Sequence, residues 1–127
     1  VLMGVSRTTK TPTCIYLANR GIKAANVPIV PGMALPDEAL QASRPLIVGL
    51  IKDPRRLVQI RRQRLKMQGH TEETDYIDPD AVAQEMREAK RLYAEHNWPV
   101  IDVSRKSVEE TAATILHLYN ERLDAEA

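Results

Sequence analysis

The 127 residues predict an α/β fold: a three-layer, mostly parallel sheet with helices on both faces. Three observations carry that expectation. Leu46 to Ile51 (LIVGLI) holds no polar residue, which suits a strand covered by helices on both sides. Short apolar runs alternate with segments of helical periodicity along the whole chain, the pattern of a parallel sheet. At the start, Val1-Leu2-Met3 runs into Gly4-Val5-Ser6-Arg7-Thr8-Thr9-Lys10-Thr11, and a helical stretch follows. Strand, tight loop, Lys-Thr and helix N-terminus come in the order that builds a phosphate cradle.

The loop spacing, G-x-x-x-x-T-K-T, is that of a variant P-loop, with Thr9 where a Walker A loop has its second glycine. The sheet is therefore expected to be of the P-loop kinase type. Residues 4–11 (Gly4, Val5, Ser6, Arg7, Thr8, Thr9, Lys10 and Thr11) are the candidate nucleotide-binding set. Their backbone N–H groups would turn inward as a nest for phosphate oxygens, and the helix beyond adds the positive end of its dipole. Lys10 would neutralise the distal phosphate, Arg7 supplies a second cation, and the Thr11 hydroxyl stands where a Mg²⁺ ligand is expected. Pro12 fits a helix start, where its missing N–H would have no intrahelical partner. Thr9 is the departure: the glycine it replaces often takes a backbone shape that a β-branched residue tolerates poorly.

The remaining elements follow in order. Residues 11–20 predict a helix with Cys14, Ile15, Leu17 and Ala18 on its apolar side, stopped by Gly21. Val27 to Val30 predicts a second strand, and Pro28 within it predicts an edge position or an irregular strand. Pro31-Gly32 marks a turn, residues 36–42 a short helix, and Arg44-Pro45 its end. Gly49 in the 46–51 strand permits close approach of another backbone or a ligand. Asp53-Pro54 after it has two readings. One is an N-cap followed by proline at the first helical position. The other is a Walker B-like Mg²⁺ partner.

In the helix from Pro54 to about Met67, a 100° wheel places Arg61 and Arg64 inside the apolar sector of Leu57, Val58, Ile60, Leu65 and Met67. An arginine in that sector either pairs with a carboxylate, snorkels at the edge of the face or, beside a phosphate loop, meets the phosphate itself. Residues 68–77 are polar and aperiodic, a loop that can serve as a lid, a docking segment or a plain connection. Asp78-Pro79 opens a helix with Val82, Met86, Ala89 and Tyr93 as its core stripe, and Asn97-Trp98-Pro99 ends it. Val100 to Val103 is the fourth strand. Ser107-x-x-Glu110 is a capping box for the last helix, whose buried stripe is Val108, Ala112, Ile115 and Tyr119 and whose tail is expected to fray from Asp124. By analogy with P-loop kinases, Ser104 to Ser107 would meet the nucleotide base; a simple capped turn is the plainer reading.

Composition narrows the function classes. Lys+Arg 18 against Asp+Glu 17 gives a net charge of +1, so no global basic field argues for nucleic acid. The arginines of 55–66 have no interleaved aromatics. No apolar run approaches a membrane span, and no signal-peptide pattern is present. Cys14 is the single cysteine, which fits a reducing cytoplasm. His70, His96 and His117 lack ligand spacing. The length suits one domain.

The run GVSRTTKTPTCIYLANRGIKAANVPIVPG resembles the nucleotide-binding half of the pyruvate, phosphate dikinase regulatory proteins, a family that includes the phosphoenolpyruvate synthase regulators. RLVQIRRQRL at 56–65 and WPVIDVSRKSVEETAATIL at 98–116 extend the likeness over nearly the whole chain. The resemblance implies that 1–127 is the C-terminal P-loop half of a longer protein, so residues of another half would lie outside it. It implies a bifunctional ADP-dependent serine/threonine kinase and phosphotransferase. A threonine of pyruvate, phosphate dikinase (or of the synthase) is phosphorylated with ADP, and inorganic phosphate removes the phosphoryl, releasing pyrophosphate. Lys10, Arg7, Arg61 and Arg64 are the catalytic candidates on this reading, with ADP and Mg²⁺ bound at 4–11. The form Arg-Thr-Thr-Lys-Thr lies nearer the dikinase type. Asp53 and Asp102 are the available general bases, neither singled out by its surroundings in sequence. Two other functions share these features: an ATP-dependent kinase of a small metabolite, of the shikimate or nucleoside monophosphate type, and a non-catalytic ADP-sensing domain that docks a partner.

Overall fold

The structure, a computed structural model, describes residues 1–30, 46–67, 69 and 77–126. Its strands are β1 (Leu2–Gly4), β2 (Asn26–Pro28), β3 (Val48–Ile51) and β4 (Val100–Asp102). Its helices are α1 (Lys10–Asn19), α2 (Pro54–Met67), α3 (Pro79–Glu95) and α4 (Val108–Glu126). The strands form one sheet in the order β2-β1-β3-β4. Every pairing is parallel, with Leu2 beside Asn26 and Val48, and Gly49 beside Val100. The turn at Pro31-Gly32, the short helix at 36–42, its end at Arg44-Pro45 and most of the 68–77 loop lie outside the described residues.

The two faces of the sheet explain the strand sequences. Leu2, Val48, Leu50 and Ile101 point to one side and pack with Cys14 and Leu17 of α1 and Ala112 and Ile115 of α4. Met3 and Val5 point to the other and meet Leu57 and Val58 of α2 and Val82, Met86, Ala89 and Tyr93 of α3. Side chains alternate along a strand, so a strand buried on both faces must be apolar at every position. Among the described residues β2 is an edge strand paired only with β1, and this is where Pro28 is tolerated.

Gly49 makes room for a side chain rather than a backbone. A Cβ there would stand 2.6 Å from three ring atoms of Tyr93. The ring cannot retreat easily, because the Tyr93 hydroxyl donates to the carbonyls of Met3 (3.2 Å) and Leu50 (3.1 Å). Gly49→Ala is expected to cost about 1–3 kcal/mol of stability by overpacking. A urea denaturation curve checks it.

Helix ends follow local chemistry. Gly21 takes φ 80, its N–H bonds the Ala18 carbonyl, and the Ile22 N–H bonds that of Leu17: a complete Schellman motif. Asp53 accepts from the Arg55 N–H at 2.9 Å, so it caps α2 as the first of its two readings requires. Asp78 caps α3 by accepting from Ala81. Ser107 and Glu110 exchange both bonds of the capping box.

Three local expectations are corrected. α1 begins at Lys10, so Pro12 is its third residue, still among the first four whose N–H lacks a helical partner. The buried face of α1 is Lys10, Thr13, Cys14 and Leu17, spaced 3-1-3, which leaves Ile15 58% exposed and Ala18 outside. α4 continues to Glu126 rather than fraying at Asp124.

Candidate functional site

β1 leads to β2 on one side, while the chain returns to β3 on the other, so the strand order reverses beside β1. In open α/β sheets ligands bind outside the carboxyl ends of the strands at such a switch point. The 4–11 loop leaves β1 there. A cleft of about 630 Å³ opens over it. Ser6 to Pro12 form its base, Asn26 and Pro28 to Val30 one wall, and Lys52, Ile60 and Glu85 the other.

Within the loop, Arg7 (φ 70) and Thr9 (φ 65, ψ 23) are left-handed, with Thr8 of ordinary φ between them. Alternation of this kind turns successive N–H groups to one side, as a nest does. Thr9 therefore takes the conformation that glycine would have supplied. It makes no side-chain cap to α1; its hydroxyl donates to the Thr8 carbonyl at 2.6 Å. A β-branched residue held this way stores about 1–3 kcal/mol of strain. Thr9→Gly is expected to raise stability by about 0.5–1 kcal/mol, the strain relieved less the entropy of an added glycine. Thermal unfolding compared with the parent reads it, and a loss of stability would refute it.

Beneath the nest, Thr8 is fully buried and donates to the Val5 carbonyl at 2.8 Å. It lies against Gly4, where a Cβ would come within 2.5 Å of the Thr8 oxygen. Gly4 thus supplies space for the loop to fold onto its own strand. The Lys10 ammonium donates to the same Val5 carbonyl at 2.7 Å and lies 3.5 Å from the Thr8 oxygen. Burial lowers its pKa to about 8, with the Arg61 and Arg7 charges acting in the same direction. A buried cation repelled by two others is a site prepared for an anion. Thr11 is exposed on the cleft, its hydroxyl accepting from Asn26 at 3.4 Å.

Arg61 is fully buried, as its place on the wheel predicts, and a carboxylate receives it. One terminal nitrogen donates to Glu85 at 2.6 Å and the other to the Ser6 carbonyl at 3.1 Å. Arg61 therefore braces the loop against α2 and α3. Arg64, placed by the wheel in the same sector, is exposed. α2 outruns its packing after Arg61: Leu65 is half-buried and Met67 is 74% exposed. The structure brings 4–11 and Arg61 together and leaves Arg64 outside.

Sequence reasoning missed Glu85 and Lys52. Glu85 lies three residues after Val82 and four before Ala89, on the buried stripe of α3. A carboxylate on that stripe facing an arginine on the preceding one was a readable signal. Lys52 directly follows β3, at the carboxyl end of a central strand.

The remaining acids are engaged elsewhere. Asp53 caps α2, and its N–H is held by the Ser104 hydroxyl at 2.8 Å. Partial burial alone would raise the Asp102 pKa, but the Ser104 hydroxyl (2.6 Å) and N–H (2.9 Å) hold it below the usual carboxylate value. Ser104 to Ser107 is a capped turn whose Ser104 carbonyl receives Arg56 at 2.8 Å. Among the described residues no group of three or more His, Cys, Asp or Glu stands together. No helix among them is long and apolar enough to cross a membrane.

A family model described as kinase/pyrophosphorylase matches residues 1–116. A Caulobacter vibrioides protein named "Putative pyruvate, phosphate dikinase regulatory protein" is 58% identical over 118 residues, covering 93% of this chain and 38% of the relative. A Rhizobium meliloti protein of the same name is 58% identical over 121 residues, 93% of this chain and 44% of the relative. One from Novosphingobium aromaticivorans is 53% identical over 127 residues, 100% of this chain and 45% of the relative. The chain spans less than half the length of these relatives. A match of this extent, running from the loop well into α4, places the chain in the kinase/pyrophosphorylase family.

Proposed function

We propose that this chain carries the nucleotide and phosphate site of a bifunctional serine/threonine kinase and phosphotransferase. The β-phosphoryl of ADP passes to a threonine hydroxyl of pyruvate, phosphate dikinase, leaving AMP. In the other direction inorganic phosphate takes the phosphoryl from phosphothreonine, forming pyrophosphate and restoring the hydroxyl. The observation that supports this best is the Lys10-bearing nest at the switch point, with its cleft of about 630 Å³. The family match and the relatives' names support the reaction and the partner. The choice of ADP over ATP, and of the dikinase over the synthase, rests on family likeness, as does a cytoplasmic location.

Each residue has a role in this reading. The nest N–H groups and Lys10 bind the phosphates and offset charge as it moves, which is most of what phosphoryl transfer asks of a protein. Lys10 leaves the Val5 carbonyl for the ligand. Arg7, exposed at the cleft, closes on the outer oxygens. Arg61 acts as a positioning residue by holding Ser6. Thr11 would hold Mg²⁺, which neutralises phosphate charge when bound; a hydroxyl together with phosphate oxygens and water suits that ion. Glu85 is the only carboxylate lining the cleft among the described residues, and Arg61 occupies it. Asp53 and Asp102 are both held in place by backbone or hydroxyl groups, so the acceptor's base is sought elsewhere.

Calorimetric titration with ADP, ATP and pyrophosphate, each with Mg²⁺, tests the reading on the parent chain and on Lys10→Ala. Selective binding of ADP that depends on Lys10 supports it. A clear preference for ATP turns it toward a metabolite kinase, and absence of binding removes the nucleotide site from this chain.

A further inference from the structure

The geometry points to a second phosphate subsite in the cleft, formed at the end of β3 around Lys52 and separate from the loop nest. Three residues beyond the paired Met3 and Gly49 come Ser6, in the loop after β1, and Lys52, just after β3. Neighbouring strands lie about 4.8 Å apart. Lys52 therefore stands beside the loop on the far side of the switch point, and it lines the same cleft. Among the described residues no carboxylate or carbonyl pairs with it, and partial burial, with Arg56 nearby, disfavours its charge. Glu85, the acid on that wall, is held by Arg61 at 2.6 Å. Lys52, just after β3, and Lys10, at the start of α1, are thus two cations lining one cleft, suited to the two phosphates of one diphosphate.

The inference rests on the cleft being a phosphate site and adds a division of labour. The nest takes one phosphate, common to every ligand. Lys52 takes the other, which only a diphosphate such as ADP or pyrophosphate provides. Lys52 thereby distinguishes diphosphates from AMP and inorganic phosphate, and it flanks the phosphoryl that moves.

The test titrates AMP, ADP, inorganic phosphate and pyrophosphate into the parent chain, Lys52→Gln, Lys52→Arg and Lys10→Ala. Lys52→Gln is expected to weaken ADP and pyrophosphate roughly five- to tenfold and to leave AMP and inorganic phosphate within about twofold, as loss of one charge-assisted contact requires. Lys52→Arg restores much of the difference. Equal weakening of all four ligands, or of none, overturns the subsite even where Lys10→Ala confirms the nest. If the parent binds none of the four, the phosphate reading falls and the subsite with it.

Discussion

Arg61→Met is expected to cost the fold about 3–5 kcal/mol, because it strips the partner from a carboxylate that has little access to water. Glu85 is 12% exposed and Arg61 not at all, and their contact of 2.6 Å is charge-assisted. The same change releases the Ser6 carbonyl, so nucleotide affinity should fall as well as stability. Glu85→Leu alone takes the carboxylate away from a fully buried guanidinium. The double variant Arg61→Met/Glu85→Leu is expected to recover most of the loss in stability, since an apolar pair can replace a buried ion pair at little cost. It should not recover nucleotide affinity, because Ser6 remains unbraced. A double-mutant cycle by urea denaturation, paired with ADP titration, separates the two effects. Additive losses would show that Arg61 and Glu85 do not depend on one another.

Lys10 gives the second large effect, and it has a sign that can be checked. Its pKa in the folded chain is about 8, against an ordinary value of 10.5. Between those values the unfolded chain holds a proton on this lysine that the folded chain has released, so the contribution of Lys10 to stability rises with pH across the window. At 1.36 kcal/mol per unit the gain is at most about 3 kcal/mol by pH 10.5. Lys10→Met should flatten the rise and be the more stable protein near pH 7, where the parent carries a buried charge. It should also lose ADP affinity by about 10- to 100-fold, the worth of a hydrogen-bonded charge. In the parent, ADP affinity should hold below pH 8 and decline above it, because the ligand selects the charged amine. Melting temperature measured from pH 7 to 10, with and without ADP, tests both statements. Equal pH slopes in the parent and in Lys10→Met would refute the assignment.

Most of the architecture could be read from periodicity, and most of the site could not. Val82, Met86, Ala89 and Tyr93 announced a helix face by spacing alone, and Pro28 announced an edge strand by the bond it cannot make. The loop was readable because its chemistry lies in contiguous residues. Arg61 and Arg64 show where such reading stops. A wheel gives direction around a helix but says nothing about how far along its axis the packing extends, and α2 loses its neighbours between the two. Glu85 and Lys52 come to the site through tertiary placement, from the middle of one helix and the end of a strand. Thr9 was read as a departure from the motif, yet it keeps the motif's backbone shape. The conformation belongs to the loop as a whole, and a side chain can be forced to accept it.

The Tyr93 hydroxyl is shared by one carbonyl of β1 and one of β3. These two paired strands lead into the loop and to Lys52, so a single phenol fastens the foundations of both halves of the cleft. Burial raises its pKa above the usual tyrosine value, which favours the protonated phenol that makes these bonds. Occupants of different size are then expected to be accommodated at the rim, by the loop and by the residues that follow β2, above a floor tied together by one side chain.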